Sequence, residues 1–97
     1  MTINTIKAAQ VFAGPGNMAY VAEAEVDNGV EQVYVAVHMY DGENYTVGRE
    51  SIYESLVGDG DDYPEDFIEE YDDEEEAQES EYAEVFEKLV SVIDVLG

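Results

Sequence analysis

The chain has 97 residues and is strongly acidic: 25 Asp and Glu stand against three Lys and Arg, for a formal net charge of −22. A soluble domain of this size usually carries a net charge of roughly 2–8 in magnitude. Direct binding to nucleic acid or to an anionic membrane surface is therefore excluded by charge repulsion. The chain contains no cysteine, which excludes a disulfide framework and thiolate chemistry.

The length predicts a single domain, residues 1–97, and the charge divides it into two halves. Residues 1–49 carry six acidic residues, whereas residues 50–97 carry nineteen. Eight Tyr and three Phe argue that the acidic half folds, because acidic disordered chains are poor in aromatic residues. No membrane-spanning run and no signal peptide are apparent in the sequence.

The first half predicts antiparallel strands. From Met18 to Asp27, apolar residues alternate with carboxylates, which is the signal of a half-buried strand. A second alternating stretch runs from Val30 to Tyr40, and a shorter one runs from about Glu43 to Val47. Asn28-Gly29 and Asp41-Gly42 separate these stretches and favour tight hairpin turns.

The alternation also assigns the strand faces. The predicted apolar face includes Val33, Val35, Val37, Met39, Tyr45 and Val47. His38 falls on the opposite, more polar face, where an exposed histidine is expected. The segment Thr2–Phe12 fits a short amphipathic helix only loosely, and its β-rich end favours a fourth strand.

The second half predicts helices. Ser51-Ile52-Tyr53-Glu54 has the spacing of a capping box and predicts a short helix that ends near Gly58. Pro64 suits the first turn of another helix, which would bury Phe67, Ile68 and Tyr71. A last helix is expected from about Glu74 to Leu96, because its apolar residues recur at three- and four-residue spacing.

These elements predict an α+β fold of two layers. An antiparallel meander of three or four strands (residues 1–49) would pack its apolar face against acidic C-terminal helices (residues 50–97).

The densest acidic run is the candidate binding surface. Twelve of the eighteen residues from Asp59 to Glu76 are carboxylates. Were this run wholly helical, it would carry one carboxylate per roughly 2.3 Å, close to the one charge per about 1.7 Å of duplex DNA. The residues predicted to bind a basic partner are Asp59, Asp61, Asp62, Tyr63, Glu65, Asp66, Glu69, Glu70, Tyr71, Asp72, Asp73 and Glu74.

Other kinds of site are disfavoured. A calcium loop counted from Asp59 would place Pro64 at the sixth position, which requires glycine. His38 is the only histidine, and no serine lies in a nucleophile elbow. We therefore expect no catalytic residues, no metal and no cofactor.

A resemblance adds a functional class. Asp41-Gly42-Glu43-Asn44-Tyr45, followed by Glu50–Val57 and the acidic stretch Glu70–Glu76, is similar in order to one family of small acidic phage-encoded anti-CRISPR proteins. Members of that class inhibit Cas effectors, some as DNA mimics. The resemblance implies a host-cell, cytoplasmic inhibitor.

The expected function is thus that of a non-enzymatic nucleic-acid mimic. It would occupy the basic groove of a host defence nuclease complex, such as a Cas effector. Two alternatives use the same surface: an antirestriction DNA mimic, and an acidic adaptor or chaperone for a basic protein.

Overall fold

The computed structural model describes residues 1–14, 17–38, 44–54, 67–71 and 73–96. Within these residues the chain forms an antiparallel sheet followed by two helices. The elements are β1 (Thr2–Gly14), β2 (Asn17–Asp27), β3 (Gln32–His38), β4 (Asn44–Gly48), β5 (Phe67–Tyr71), α1 (Glu74–Gln78) and α2 (Ala83–Leu96). The predicted α+β architecture is confirmed.

The described strands form one sheet in the order β1-β2-β3-β4-β5, so neighbours in sequence are neighbours in space. Every pair is antiparallel, with Ala24 opposite Val35 and Val35 opposite Val47 in the central ladder. The predicted fourth strand over Thr2–Phe12 is present as β1. The meander also gains a fifth strand, β5, which the sequence did not indicate.

The sheet buries its predicted apolar face against α2. Val33, Val35 and Val37 are fully buried there, and Leu89 of α2 is fully buried opposite them. Phe86 of α2 meets the ring of Tyr45 edge-on, with ring centroids 5.5 Å apart. The small valine side chains of the sheet and the large side chains of α2 thus form one close-packed core. This core stabilises the fold of a highly charged chain.

The turn between β2 and β3 lies where Asn28-Gly29 predicts it, but it is longer than a two-residue hairpin. It spans residues 28–31, and only Gly29 has a positive φ, of 94°. The Asn28 side-chain oxygen accepts hydrogen bonds from the backbone N–H groups of Val30 and Glu31, both at 2.9 Å. The Asn28 side-chain nitrogen also donates to the Tyr82 hydroxyl at 3.1 Å, which ties the turn to the helical layer.

The other face of the sheet is less open than the sequence suggested. His38 lies on this face, as its register predicts, yet only 6% of the residue is exposed. Val21, Ala36 and Thr46 of the same face are also buried. The expectation of a surface histidine was wrong, because alternation assigns a side chain to a face without saying whether that face is covered.

The helical half differs most from prediction. Phe67–Tyr71 is not helical but forms β5, which pairs with β4 through Thr46 and Glu70. The long helix predicted from about Glu74 to Leu96 is divided into α1 and α2. Ser80 lies at the division: its hydroxyl donates to the Ala77 carbonyl at 2.7 Å and accepts from the Tyr82 N–H at 3.2 Å. Such local bonds compete with a continuous helix.

In the described part of the chain, neither helix has the length and apolar character needed to cross a membrane.

Leu89→Ala tests the packing of α2 on the sheet. We expect it to lower the free energy of unfolding by about 2–5 kcal/mol, because it removes a fully buried side chain and leaves a cavity. The measurement is urea unfolding followed by circular dichroism. Val95→Ala, at a position that is 86% exposed, is the matched control and should change stability by less than about 0.5 kcal/mol. Equal effects of both changes would contradict the packing described.

The ionisation of His38 tests the burial of the second sheet face. Burial lowers the pKa of His38 from 6.5 to about 4. The unfolded chain therefore takes up a proton that the folded chain resists, and His38 makes the fold less stable as the pH falls from 6.5 through 4. The ring signals of this single histidine, followed by NMR, should titrate near pH 4; a midpoint near 6.5 would show an open face.

Candidate functional site

Carboxylates converge where β5 leads into α1. We call this surface the acidic edge, defined by the exposed side chains of Glu69, Glu70, Glu74, Glu75 and Glu76. β5 is an outer strand of the described sheet, so the edge has a fixed backbone. Its side chains are exposed but its scaffold is ordered, which is the arrangement a charged binding surface needs.

β5 sends its two glutamates in different directions. Glu69 lies opposite Val47 and Glu70 lies opposite Thr46 in the ladder with β4. Because successive residues of a strand point to opposite faces, Glu69 shares the face of the helices and Glu70 shares the other face. The run is therefore not the single helical ladder that its density suggested.

α1 continues the acidic edge on the helix side. The Asp73 carboxylate caps this helix by accepting a hydrogen bond from the backbone N–H of Glu76 at 2.9 Å. The first turn consists of Glu74, Glu75 and Glu76, where negative charge is stabilised by the helix dipole. Asp73 thus has a structural role, and the three glutamates that follow it are exposed.

Tyr71 joins the acidic edge to the core. Its ring meets Phe86 edge-on, with centroids 5.7 Å apart, and the residue is half-buried. Burial raises the pKa of its hydroxyl, a hydrogen bond with Ser80 lowers it, and nearby Glu69 and Glu81 raise it further. The Tyr71 hydroxyl therefore stays neutral and can donate a hydrogen bond, while its ring mainly supports the scaffold.

A groove lies beside the acidic edge, between α1, α2 and β4. It has a volume of about 420 Å³ and an apolar lining that includes Tyr45, Phe86 and Val90. Glu74 and Glu87 also line it. An apolar wall with carboxylates beside it suits the alkyl stem and the charged head of a lysine or arginine.

The predicted site residues are only partly placed. Glu69, Glu70, Tyr71, Asp73 and Glu74 come together as described above. The others, namely Asp59, Asp61, Asp62, Tyr63, Glu65, Asp66 and Asp72, lie outside the described residues. Sequence reasoning stopped the site at Glu74, although Glu75, Glu76, Glu79 and Glu81 are equally exposed nearby in the chain. The unbroken carboxylate run to Glu76 was the signal that could have extended it.

A buried carboxylate, Glu23 on β2, was also missed. Only 4% of the residue is exposed, although strand alternation placed it on the polar face. It accepts hydrogen bonds from the Ser51 hydroxyl at 2.5 Å and from the backbone N–H groups of Ile52 at 2.7 Å and Tyr53 at 3.2 Å. The capping box predicted a helix from Ser51 to near Gly58, of which residues 55–58 lie outside the described residues. The Ser51 hydroxyl donates to Glu23, whose carboxylate also accepts from the next two backbone N–H groups.

Lys7 strengthens the same attachment. Its ammonium lies 3.9 Å from the Glu54 carboxylate and 5.7 Å from the centre of the Tyr53 ring. We call Glu23 and Lys7, with the segment Ser51–Glu54, the clasp. The clasp therefore joins β1 and β2 to the segment that follows β4.

Burial raises the pKa of Glu23, and the bonds from Ser51, Ile52 and Tyr53 and the charge of Lys7 partly oppose this. A folded-state pKa above the unfolded one means that the folded chain binds the proton more readily. Glu23 therefore makes the fold more stable as the pH falls through its raised pKa, opposite in sign to His38.

Within the described residues, no group of three or more His, Asp and Glu side chains is placed to hold a metal ion. Comparisons of the chain with protein-family models, with curated proteins and with solved structures gave no match.

Ser51→Ala tests the clasp. We expect a loss of about 1–3 kcal/mol in the free energy of unfolding, because the change removes a hydrogen bond to a charged group. The same change should raise the pKa of Glu23 further, as followed by NMR of its side-chain carboxyl carbon. Ser91→Ala is the control, since the exposed Ser91 hydroxyl bonds only the Glu87 carbonyl of its own helix among the described contacts. An unchanged pKa of Glu23 in Ser51→Ala would contradict the hydrogen bond between Ser51 and Glu23.

Proposed function

We propose that this protein is a non-enzymatic inhibitor that mimics nucleic acid and occupies the basic groove of a host defence nuclease complex, as the anti-CRISPR proteins it resembles do. The observation that carries the proposal is the acidic edge: an ordered surface of exposed carboxylates, in a stretch of sequence that contains a single cation, Lys88. Its partner would be a Lys- and Arg-rich protein surface.

The charge balance around the acidic edge supports this function. Residues 67–96 contain twelve Asp and Glu and a single cation, Lys88. All eleven of these acidic residues that the structure describes are exposed. So many charges of one sign repel one another and cost stability, and a binding partner of opposite charge would relieve that cost.

The other two cations form ion pairs with carboxylates that are not part of the acidic edge. Lys7 pairs with Glu54, and the Arg49 guanidinium binds Glu31 with nitrogen–oxygen distances of 3.0 and 3.2 Å. These two cations are thus already paired with other carboxylates and oppose the negative electrostatic field of the acidic edge only weakly. Such a field speeds encounter with a basic groove and weakens as salt screens it.

The scaffold favours mimicry over loose charge attraction. Glu69 and Glu70 are held by the ladder with β4, and the α1 carboxylates are held by a capped helix. Fixed carboxylates can match a fixed set of lysines and arginines without losing much conformational freedom on binding. A disordered acidic tail would lose far more.

Charge reversal at the acidic edge tests the proposal. The triple variant Glu69→Lys, Glu70→Lys and Glu75→Lys should weaken inhibition of target-DNA binding by a purified, guide-loaded Cas9-type effector by about tenfold or more. The readout is fluorescence anisotropy of labelled target DNA, with inhibitor titrated to find the stoichiometry. Wild type should reach full inhibition at one chain per effector.

The matched control moves the same charge change elsewhere. Glu50→Lys, Glu84→Lys and Asp94→Lys alter the net charge equally at exposed positions outside the acidic edge. If this control loses as much activity as the edge variant, net charge rather than the edge is responsible. Wild type that leaves DNA binding intact in Cas effectors but blocks a restriction enzyme would redirect the proposal to antirestriction. Equal, loose binding to several basic proteins would indicate an adaptor or chaperone.

A further inference from the structure

The two outer strands of the described sheet differ sharply. β5 is five residues long and carries the exposed Glu69 and Glu70. β1 is thirteen residues long, and the sequence has no carboxylate before Glu23. Edge strands are usually protected by shortness or by charge. By that measure β5 is better protected than β1, in which Lys7 is the only charged residue.

Within the described residues, no strand pairs with the outer side of β1. β1 pairs with β2 alone among the described strands, and its register is continuous from Thr5 to Phe12, between two irregularities. Ala8 and Ala9 lie near the middle of this stretch, and their side chains are small and uncharged. Thr5, Ile6, Lys7 and Gln10 are exposed. The edge therefore offers about 27 Å of strand whose outward N–H and C=O groups can pair with another strand.

An apolar patch continues from this edge onto α2. Ile6 is 39% exposed and lines a groove of about 540 Å³ together with Val92 and Ser91. Val95 and Leu96, at the end of α2, are also exposed. Glu84, Glu87 and Lys88 line the same groove, so its charge is mixed rather than purely acidic.

We propose that β1 is a dimerisation edge, and that its occupant is β1 of a second copy of this chain. Two identical edges paired antiparallel are related by a two-fold axis, so the contact satisfies both copies and stops at the dimer. The result would be one continuous sheet with the two β5 strands at its outer ends.

The charge distribution selects a second copy as the occupant. Two chains of net charge −22 repel each other, so close approach is favoured at an edge strand without carboxylates. β1 has none, and the nearby Glu54 carboxylate is paired with Lys7. The strand order places β5 four strand spacings from β1, or about 19 Å. That exceeds twice the Debye length of about 8 Å at physiological ionic strength. Pairing through β1 is thus the arrangement that keeps the acidic edges most widely separated and leaves both free for partners.

The test is the oligomeric state of the purified chain as a function of concentration and salt. Sedimentation velocity from about 10 to about 500 µM should show conversion from the 10.8 kDa chain to twice that mass. Raising the salt from about 0.05 to about 0.5 M should favour the dimer, because salt screens the repulsion between the chains. Binding to a basic partner has the opposite salt dependence, so failure of this inference and failure of the proposed function are distinguishable.

Two matched variants locate the contact. Ile6→Lys places a charge on the edge and should raise the dimer dissociation constant by about tenfold or more. Val30→Lys likewise replaces a β-branched apolar residue by lysine, at an exposed position in the β2–β3 turn. It should change the dimer dissociation constant by less than about twofold. In wild type, amide hydrogen exchange from Thr5 to Phe12 should slow as the dimer forms. A single-chain mass at every concentration and salt, or equal weakening by both variants, would overturn the proposal.

Discussion

The packing of α2 against the valine face of the sheet is the contact on which the rest of this protein depends. Leu89 and Phe86 of α2 pack in one buried cluster with Val35 and its neighbours. A chain with a net charge of −22 gains no cohesion from electrostatics, since its charges repel one another. Apolar burial therefore has to offset both chain entropy and this repulsion. That requirement explains why the core residues are fully buried and why the carboxylates lie at the periphery.

The charges themselves are sorted by position in the sheet. β1 contains no carboxylate, β2 holds one buried carboxylate in Glu23, and β5 with α1 carries the exposed array. A meander converts order along the chain into order across the sheet, so the asymmetry of the sequence becomes an asymmetry of the surface. Glu23 is the exception: its charge is satisfied by Ser51 and two backbone amides, and it attaches the segment that leads into the acidic run.

Sequence patterns predicted the strands well because their signal is local. The alternation of Val33, Val35 and Val37 specified both the strand and its buried face. β5 was missed because Phe67, Ile68 and Tyr71 fit a helical spacing as readily, and the glutamates between them favour helix; pairing with β4 overrides that preference. The break in the last helix depends on Ser80, whose local hydrogen bonds no periodicity reveals. The burial of His38 depends on what covers the second sheet face, which strand alternation does not reveal. The contact of Glu23 with Ser51 joins residues that are 28 positions apart in the sequence, so no local pattern indicates it. For the acidic edge, the residue types were predictable, but their division between two faces followed only from β5 being a strand.

In the proposed function, the acidic edge competes with nucleic acid for the basic groove of the partner. The most direct measurement is the affinity of a guide-loaded Cas9-type effector for its target DNA at several fixed concentrations of this protein. We expect the apparent dissociation constant of the DNA to rise linearly with the protein concentration while saturation binding is unchanged, and excess DNA to displace the protein. A ternary complex of effector, DNA and this protein, with the DNA affinity unaltered, would contradict it.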